Sequence, residues 1–208
     1  MPKTLGFSLY LSTFDQQWPT LKVWAGTEAP IFLSLHIGEE FDSTYCQRAR
    51  AICHSLAAFG FRTIADVSVK TLQQFGCDNL PELAKDLKLW GLRIDYGFSP
   101  EEIGEMARTM PIVLNASTMS PEDARRIAEN GREVFALHNF YPRPETGLDE
   151  EYLMETTQKL RAAGLSVQCF IPGDTLLRGP LHEGLPTLEQ HRHVLPSAAF
   201  VDLALRFG

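Results

Sequence analysis

The sequence predicts an α/β fold of the TIM type, a parallel (β/α) barrel. Two observations carry this. Seven short apolar runs, TLGFSLY, PIFLSLH, FRTIADVS, LWGLRID, PIVLNAS, REVFALHNF and LSVQCFIP, are each followed by a helix-like stretch. That order demands parallel strands, because parallel neighbours need a crossover connection. The runs also end on polar residues: Ser8 and Tyr10, Ser34 and His36, Asp66, Asp95, Asn115 and Ser117, His138 and Asn139, and Gln168. A β/α barrel gathers such strand ends on one face and builds its active site there.

Each element has a local reason. The first strand is expected near Leu5 to Leu11, with a helix from Phe14 to Ala25 weakened by Pro19. Ile31 to Leu35 forms the second strand. A long helix then runs from Asp42 as N-cap to Ala58 and stops at Gly60. Arg62 to Val67 forms the third strand, and Ser68 caps a short helix containing Leu72 and Phe75. A second short helix, Leu80 to Leu87, leads into the strand Leu92 to Asp95. Ser99-Pro100-Glu101-Glu102 places a capping Ser, a Pro at the first helical position and a Glu three residues on, and Ser120-Pro121-Glu122-Asp123 repeats the signal. Between them lies the strand Ile112 to Asn115; the second helix ends near Asn130-Gly131. Val134 to His138 is a strand, Asp149 opens a helix ending at Gly164, and Ser166 to Ile171 is the seventh strand. A Gly/Pro-rich loop from Pro172 to about Pro186 has the length of a functional loop. A last helix spans Pro196 to Arg206. An eighth strand is missing, so the barrel is expected to be truncated after its seventh helix, as a single domain over residues 1–208. The edges of strands one and seven are then expected to be covered by a missing C-terminal segment or a second copy of the chain.

Composition bounds the function. The 208 residues carry 19 Lys plus Arg against 26 Asp plus Glu, a net charge of −7, which argues against a nucleic-acid surface. No apolar stretch is long enough to span a membrane. The N-terminus reads as a strand, not a signal peptide. Cys46, Cys53, Cys77 and Cys169 form no CxxC pair and read as buried free thiols of a cytoplasmic protein.

Asp66 and Asp95 end adjacent strands about 4.8 Å apart. Paired carboxylates are what acid/base hydrolysis of a glycosidic bond requires. The plainer alternative is that each caps a helix or pairs with an arginine such as Arg93. His138, Asn139 and Tyr141 follow strand six and, with Asn115, suit sugar hydroxyls and a sugar face; the alternative for His138 is a satisfied core histidine. Glu183, in the Gly-rich loop, is a third carboxylate candidate. Glu189 is either a ligand or a helix-start charge. Arg143, Arg178 and Arg192 are candidate phosphate or carboxylate clamps, or simply surface arginines. No metal and no cofactor is expected: His191 and His193 lie two apart, which on a helix separates their faces. A Schiff-base aldolase would want a strand-end lysine, and the nearest is Lys70.

Together the runs IADVS (Ile64 to Ser68), GLRIDYGFS (Gly91 to Ser99), LNAS (Leu114 to Ser117), HNFYPRPETGL (His138 to Leu148) and GP-x-x-EGLPTLE-x-HR (Gly179 to Arg192) resemble the bacterial 6-phospho-N-acetylmuramidases. The resemblance implies a barrel glycoside hydrolase of cytoplasmic peptidoglycan recycling. Its substrate would be N-acetylmuramic acid 6-phosphate β-1,4-linked to N-acetylglucosamine. It also implies an eighth strand and a cyclophilin-like β domain, which this sequence does not contain. On this reading Asp66, Asp95 and Glu183 are the candidate catalytic carboxylates. Asn115, His138, Asn139 and Tyr141 would hold the sugars, with Arg143, Arg178, Glu189 and Arg192 as further ligands. A non-catalytic sugar-phosphate binder and a sugar-phosphate isomerase or aldolase remain the alternatives.

Overall fold

The computed structural model describes residues 5–35 and 41–207. His36 therefore lies outside the described residues. Seven strands form one sheet in the order β1-β2-β3-β4-β5-β6-β7. They are β1 (Phe7–Leu9), β2 (Pro30–Ser34), β3 (Arg62–Ser68), β4 (Gly91–Tyr96), β5 (Ile112–Asn115), β6 (Val134–Leu137) and β7 (Ser166–Gln168). The helices between and after them are α1 (Phe14–Leu21), α2 (Tyr45–Ala58), α3 (Val69–Phe75), α4 (Leu80–Asp86), α5 (Pro100–Ala107), α6 (Pro121–Asn130), α7 (Glu150–Ala162) and α8 (Pro196–Arg206). Sequential parallel strands alternating with helices are the topology of a TIM-type barrel, here with seven strands among the described residues.

The chain falls into two compact units, residues 5–113 with 130–133, and residues 114–129 with 134–207. In the first, the register pairs Ser34 with Asp66 and Asp66 with Arg93. Strand side chains alternate between faces. Ser34, Asp66, Arg93 and Asp95 therefore share one face, and Leu33, Ala65, Val67, Leu92 and Ile94 share the other, where all five are buried.

The helix starts follow their local signals. The Ser99 hydroxyl accepts from the Glu102 amide at 3.2 Å, and the Glu102 carboxylate accepts from the Ser99 amide at 2.7 Å. Donation from the Ser99 amide and hydroxyl holds the Glu102 carboxyl below its ordinary range. Ser120 accepts from the Asp123 amide, and Asp149 from the Tyr152 amide. Asn79 caps α4 by accepting from the Glu82 amide.

Several boundaries differ. Helix α2 starts at Tyr45 with Thr44 as its N-cap residue. Asp42 instead accepts from the Thr44 amide and hydroxyl, both at 2.8 Å, closing a turn ahead of the helix. Helix α1 tightens into a 3₁₀ turn at Lys22–Trp24, so the expected helix to Ala25 is two pieces. Strand one is only Phe7–Leu9, and a 3₁₀ turn begins at Leu11. Of the cysteines only Cys53 is fully buried.

In the second unit, α8 packs back on α7. Leu153, Leu188 and Phe207 form a buried cluster with Leu148, Met154, Cys169 and Leu203 around it. Arg206 pairs with Glu150 of α7 and Asp202 of its own helix. His191 Nε2 meets the Asp202 carboxylate at 2.8 Å.

Candidate active site

Asp66 and Asp95 stand near the C-terminal ends of β3 and β4. Between them is Arg93, only 3% exposed. Its Nη1 donates to Asp66 Oδ1 at 2.9 Å and lies 3.9 Å from Asp95 Oδ1. A guanidinium out of water needs such partners, because an unpaired buried charge is costly. The arginine alternative raised from the sequence is therefore realised, and both carboxylates are brought to one buried cation. Asp66 is nearly buried, while the Asp95 side chain keeps 32% of its surface. The first is a fixed, hydrogen-bonded acceptor. The second is partly open to solvent.

The second cluster belongs to the other unit and joins the two motifs HNFYPRPETGL and EGLPTLE-x-HR. Arg192 is 4% exposed. Its Nε and Nη2 donate to the two oxygens of Glu189 at 2.6 and 2.5 Å. Its Nη1 donates to the carbonyls of Tyr141 and Gly184 at 2.8 and 2.7 Å, and Nη2 also to that of Arg143 at 3.0 Å. A guanidinium has five N–H donors, and all are committed inside the protein. Arg192 as a phosphate clamp is corrected accordingly: it has no donor left for an anion.

Glu189 is equally committed. Besides Arg192 it accepts from the amides of Glu145 and Gly147 at 2.9 and 2.7 Å. The Arg192 bonds are the main cause that lowers its pKa to about 2. It opens a single 3₁₀ turn, Glu189–His191, and is a backbone anchor instead of a sugar ligand. A Cβ on Gly147 would come within 2.6 Å of Glu189 Oε2 and 2.8 Å of its amide nitrogen. That close approach accounts for the glycine in the TGL run.

Thr187, buried and overlooked as a site residue, ties the same region together. Its hydroxyl donates to the Asn139 carbonyl and accepts from the Phe170 amide, each at 2.9 Å. Its own amide donates to the Phe170 carbonyl. This takes over the hydrogen bonds that would have extended β7, which stops at Gln168 although the apolar run continues to Ile171.

The remaining candidates divide. His138 is fully buried, and its Nε2 is hydrogen-bonded to Thr157 of α7 at 3.1 Å. Its burial and the Thr157 contact favour the core-histidine alternative over a sugar ligand. Asn115 is buried and accepts from the Ser117 amide at 3.0 Å, shaping the turn after β5. Asn139 and Tyr141 are half-buried on the loop after β6. Glu183 is half-buried, with Oε2 3.9 Å from Nδ1 of the exposed His193. Arg178 is half-buried on the long loop, and Arg143 is exposed. Among the described residues no group of three His, Cys, Asp or Glu side chains is arranged to hold a metal ion.

Sequential parallel strands with two carboxylates at neighbouring strand ends define a barrel scaffold of the enzyme type. The chain belongs to the 6-phospho-N-acetylmuramidase N-terminal family, whose model matches residues 5–206. A crystal structure of a conserved Enterococcus faecalis protein of unknown function is similar at 34% identity and a TM-score of 0.83. An uncharacterized Bacillus cereus protein, in a second crystal structure, shares 22% identity and the fold at a TM-score of 0.73. Both matches cover 98% of this chain, which spans 58% of the length of either relative. A search of curated proteins finds no match.

Proposed function

We propose that the protein is a glycoside hydrolase that cleaves N-acetylmuramic acid 6-phosphate from N-acetylglucosamine in the recycling of peptidoglycan in the cytoplasm. Family membership supports the reaction class. The observation that carries the reading here is the Asp66–Arg93–Asp95 cluster at the ends of β3 and β4. Hydrolysis through an oxocarbenium-like transition state needs one carboxyl group to give a proton to the leaving oxygen and another to act as nucleophile, base or charge partner. Asp66, accepting from a buried guanidinium, suits the second role. Asp95, more exposed and farther from Arg93, suits the first, with Glu183 as its competitor. Asn115 at the end of β5, and Asn139 and Tyr141 on the loop after β6, would bind sugar.

The partner expected is a phosphorylated amino-sugar disaccharide. No described helix is long and apolar enough to cross a membrane. β1 and β7 end the sheet order, and Val201 and Leu205 are exposed on α8. These features support a covering partner, either a second copy or a further segment. The test of function is direct. Purified protein is incubated with the phosphorylated disaccharide and with its unphosphorylated form, and free sugars are followed by mass spectrometry. Release from the first and not the second is expected. Equal release would remove phosphate from the recognition, and binding without release would leave a sugar-phosphate binder.

A further inference from the structure

Of the three arginines singled out as anion clamps, Arg192 is saturated and buried, and Arg178 is half-buried and engaged. Arg143 differs. It is exposed, and among the described residues its guanidinium forms no ion pair. Its backbone, by contrast, is held from several sides. Arg192 Nη2 donates to its carbonyl at 3.0 Å, Thr146 Oγ1 at 2.6 Å and the Thr146 amide at 3.3 Å. Pro142 and Pro144 flank it, and each restricts the chain further. The loop is pinned at alternate residues, through the Tyr141 and Arg143 carbonyls to Arg192 and the Glu145 and Gly147 amides to Glu189.

We propose that the ion pair between Glu189 and the buried Arg192 is a positioning device for the loop after β6, and that Arg143 is the residue it presents to the anionic group of the substrate. A solvated surface arginine has no need of a backbone fixed by an internal ion pair. A cation that must read an anion does, because ordering the loop beforehand removes that entropy from binding. The loop leaves the C-terminal end of β6, the end on which β/α barrels place their chemistry. The planar fork of Arg143 suits a phosphate monoester or a carboxylate. Both occur on the substrate of the proposed function, on which this inference rests.

Calorimetric binding, together with kcat and KM, tests it on the full chain. The ligands are the phosphorylated and unphosphorylated disaccharides. Arg143→Gln is expected to bind the phosphorylated form roughly tenfold more weakly, the scale of one charged hydrogen-bonding contact. KM should rise and kcat should stay near wild type. Arg143→Lys is expected to recover part of the loss. If the phosphate is the group read, wild type and Arg143→Gln converge on the unphosphorylated form; a tenfold gap persisting there assigns Arg143 to the carboxylate. Glu189→Gln, which keeps an acceptor but weakens the hold on Arg192, should raise KM in the same direction. Unchanged affinity in Arg143→Gln overturns the inference while leaving the hydrolase reading intact. Binding by wild type that depends on Arg143 without any turnover supports the inference and removes the hydrolase. A wild type that binds neither disaccharide removes both.

Discussion

Arg93 donates to Asp66 across 2.9 Å from the paired position on the neighbouring strand, and both side chains are withdrawn from solvent. Register makes this pair: Asp66 and Arg93 are Cα partners, so their side chains leave the sheet on the same face at the same height. Replacing Arg93 leaves the carboxylate without its main charge partner in a poorly solvated place. Arg93→Met is expected to lose about 3 kcal/mol or more of stability, as broken buried pairs do, measured by urea denaturation. A midpoint unchanged from wild type would show that the pair is solvated after all.

The Glu189 carboxyl yields a pH prediction. Its folded pKa is about 2, below the ordinary 4.5, chiefly because Arg192 donates to it. A depressed carboxyl contributes stability that is present above the unfolded value and is lost as pH falls through the folded one. Wild type should therefore lose stability between about pH 4.5 and about pH 2 more steeply than Glu189→Gln, whose amide does not titrate. The slope of unfolding free energy against pH reads this. Parallel slopes would contradict it.

Gly147 faces the backbone and carboxylate of Glu189 so closely that a methyl group would overlap both. Gly147→Ala is expected to destabilise by about 1 to 3 kcal/mol, the usual effect of overpacking. Gly104 of α5, where a Cβ meets open space, is the control, and Gly104→Ala should be neutral or stabilising. Thermal midpoints of the two variants decide it.

Cys53 is buried in α2, and burial pushes its thiol up to about 12. The thiolate is the reactive form. Native protein at pH 8 is expected to leave Cys53 unmodified by a thiol reagent over a time in which denatured protein reacts fully. Peptide mass mapping checks this, and prompt native labelling of Cys53 would refute the burial.

Much of this fold was legible because its signals are local. Ser99-Pro100-Glu101-Glu102 states a helix start within one turn of chain, and α5 begins there. The strand-end positions of Asp66 and Asp95 were likewise readable, and Arg93 was visible as their alternative partner. What stayed hidden is long-range. Arg192 bonds carbonyls 49 and 51 residues away in sequence, so nothing near it reveals that its donors are used up. His138 lies one residue past β6 and is buried against Thr157 of α7, a placement that polar character alone conceals. The role of Thr187, replacing ladder bonds at Phe170, requires knowing which strand it meets.

The most direct measurement is the turnover of the phosphorylated disaccharide by Asp66→Asn and Asp95→Asn, with folding verified by circular dichroism. Each variant should lose about a hundredfold or more in kcat, the scale of a removed acid, base or nucleophile. Activity within a factor of about two of wild type in either variant would contradict the assignment of that carboxylate to the chemistry.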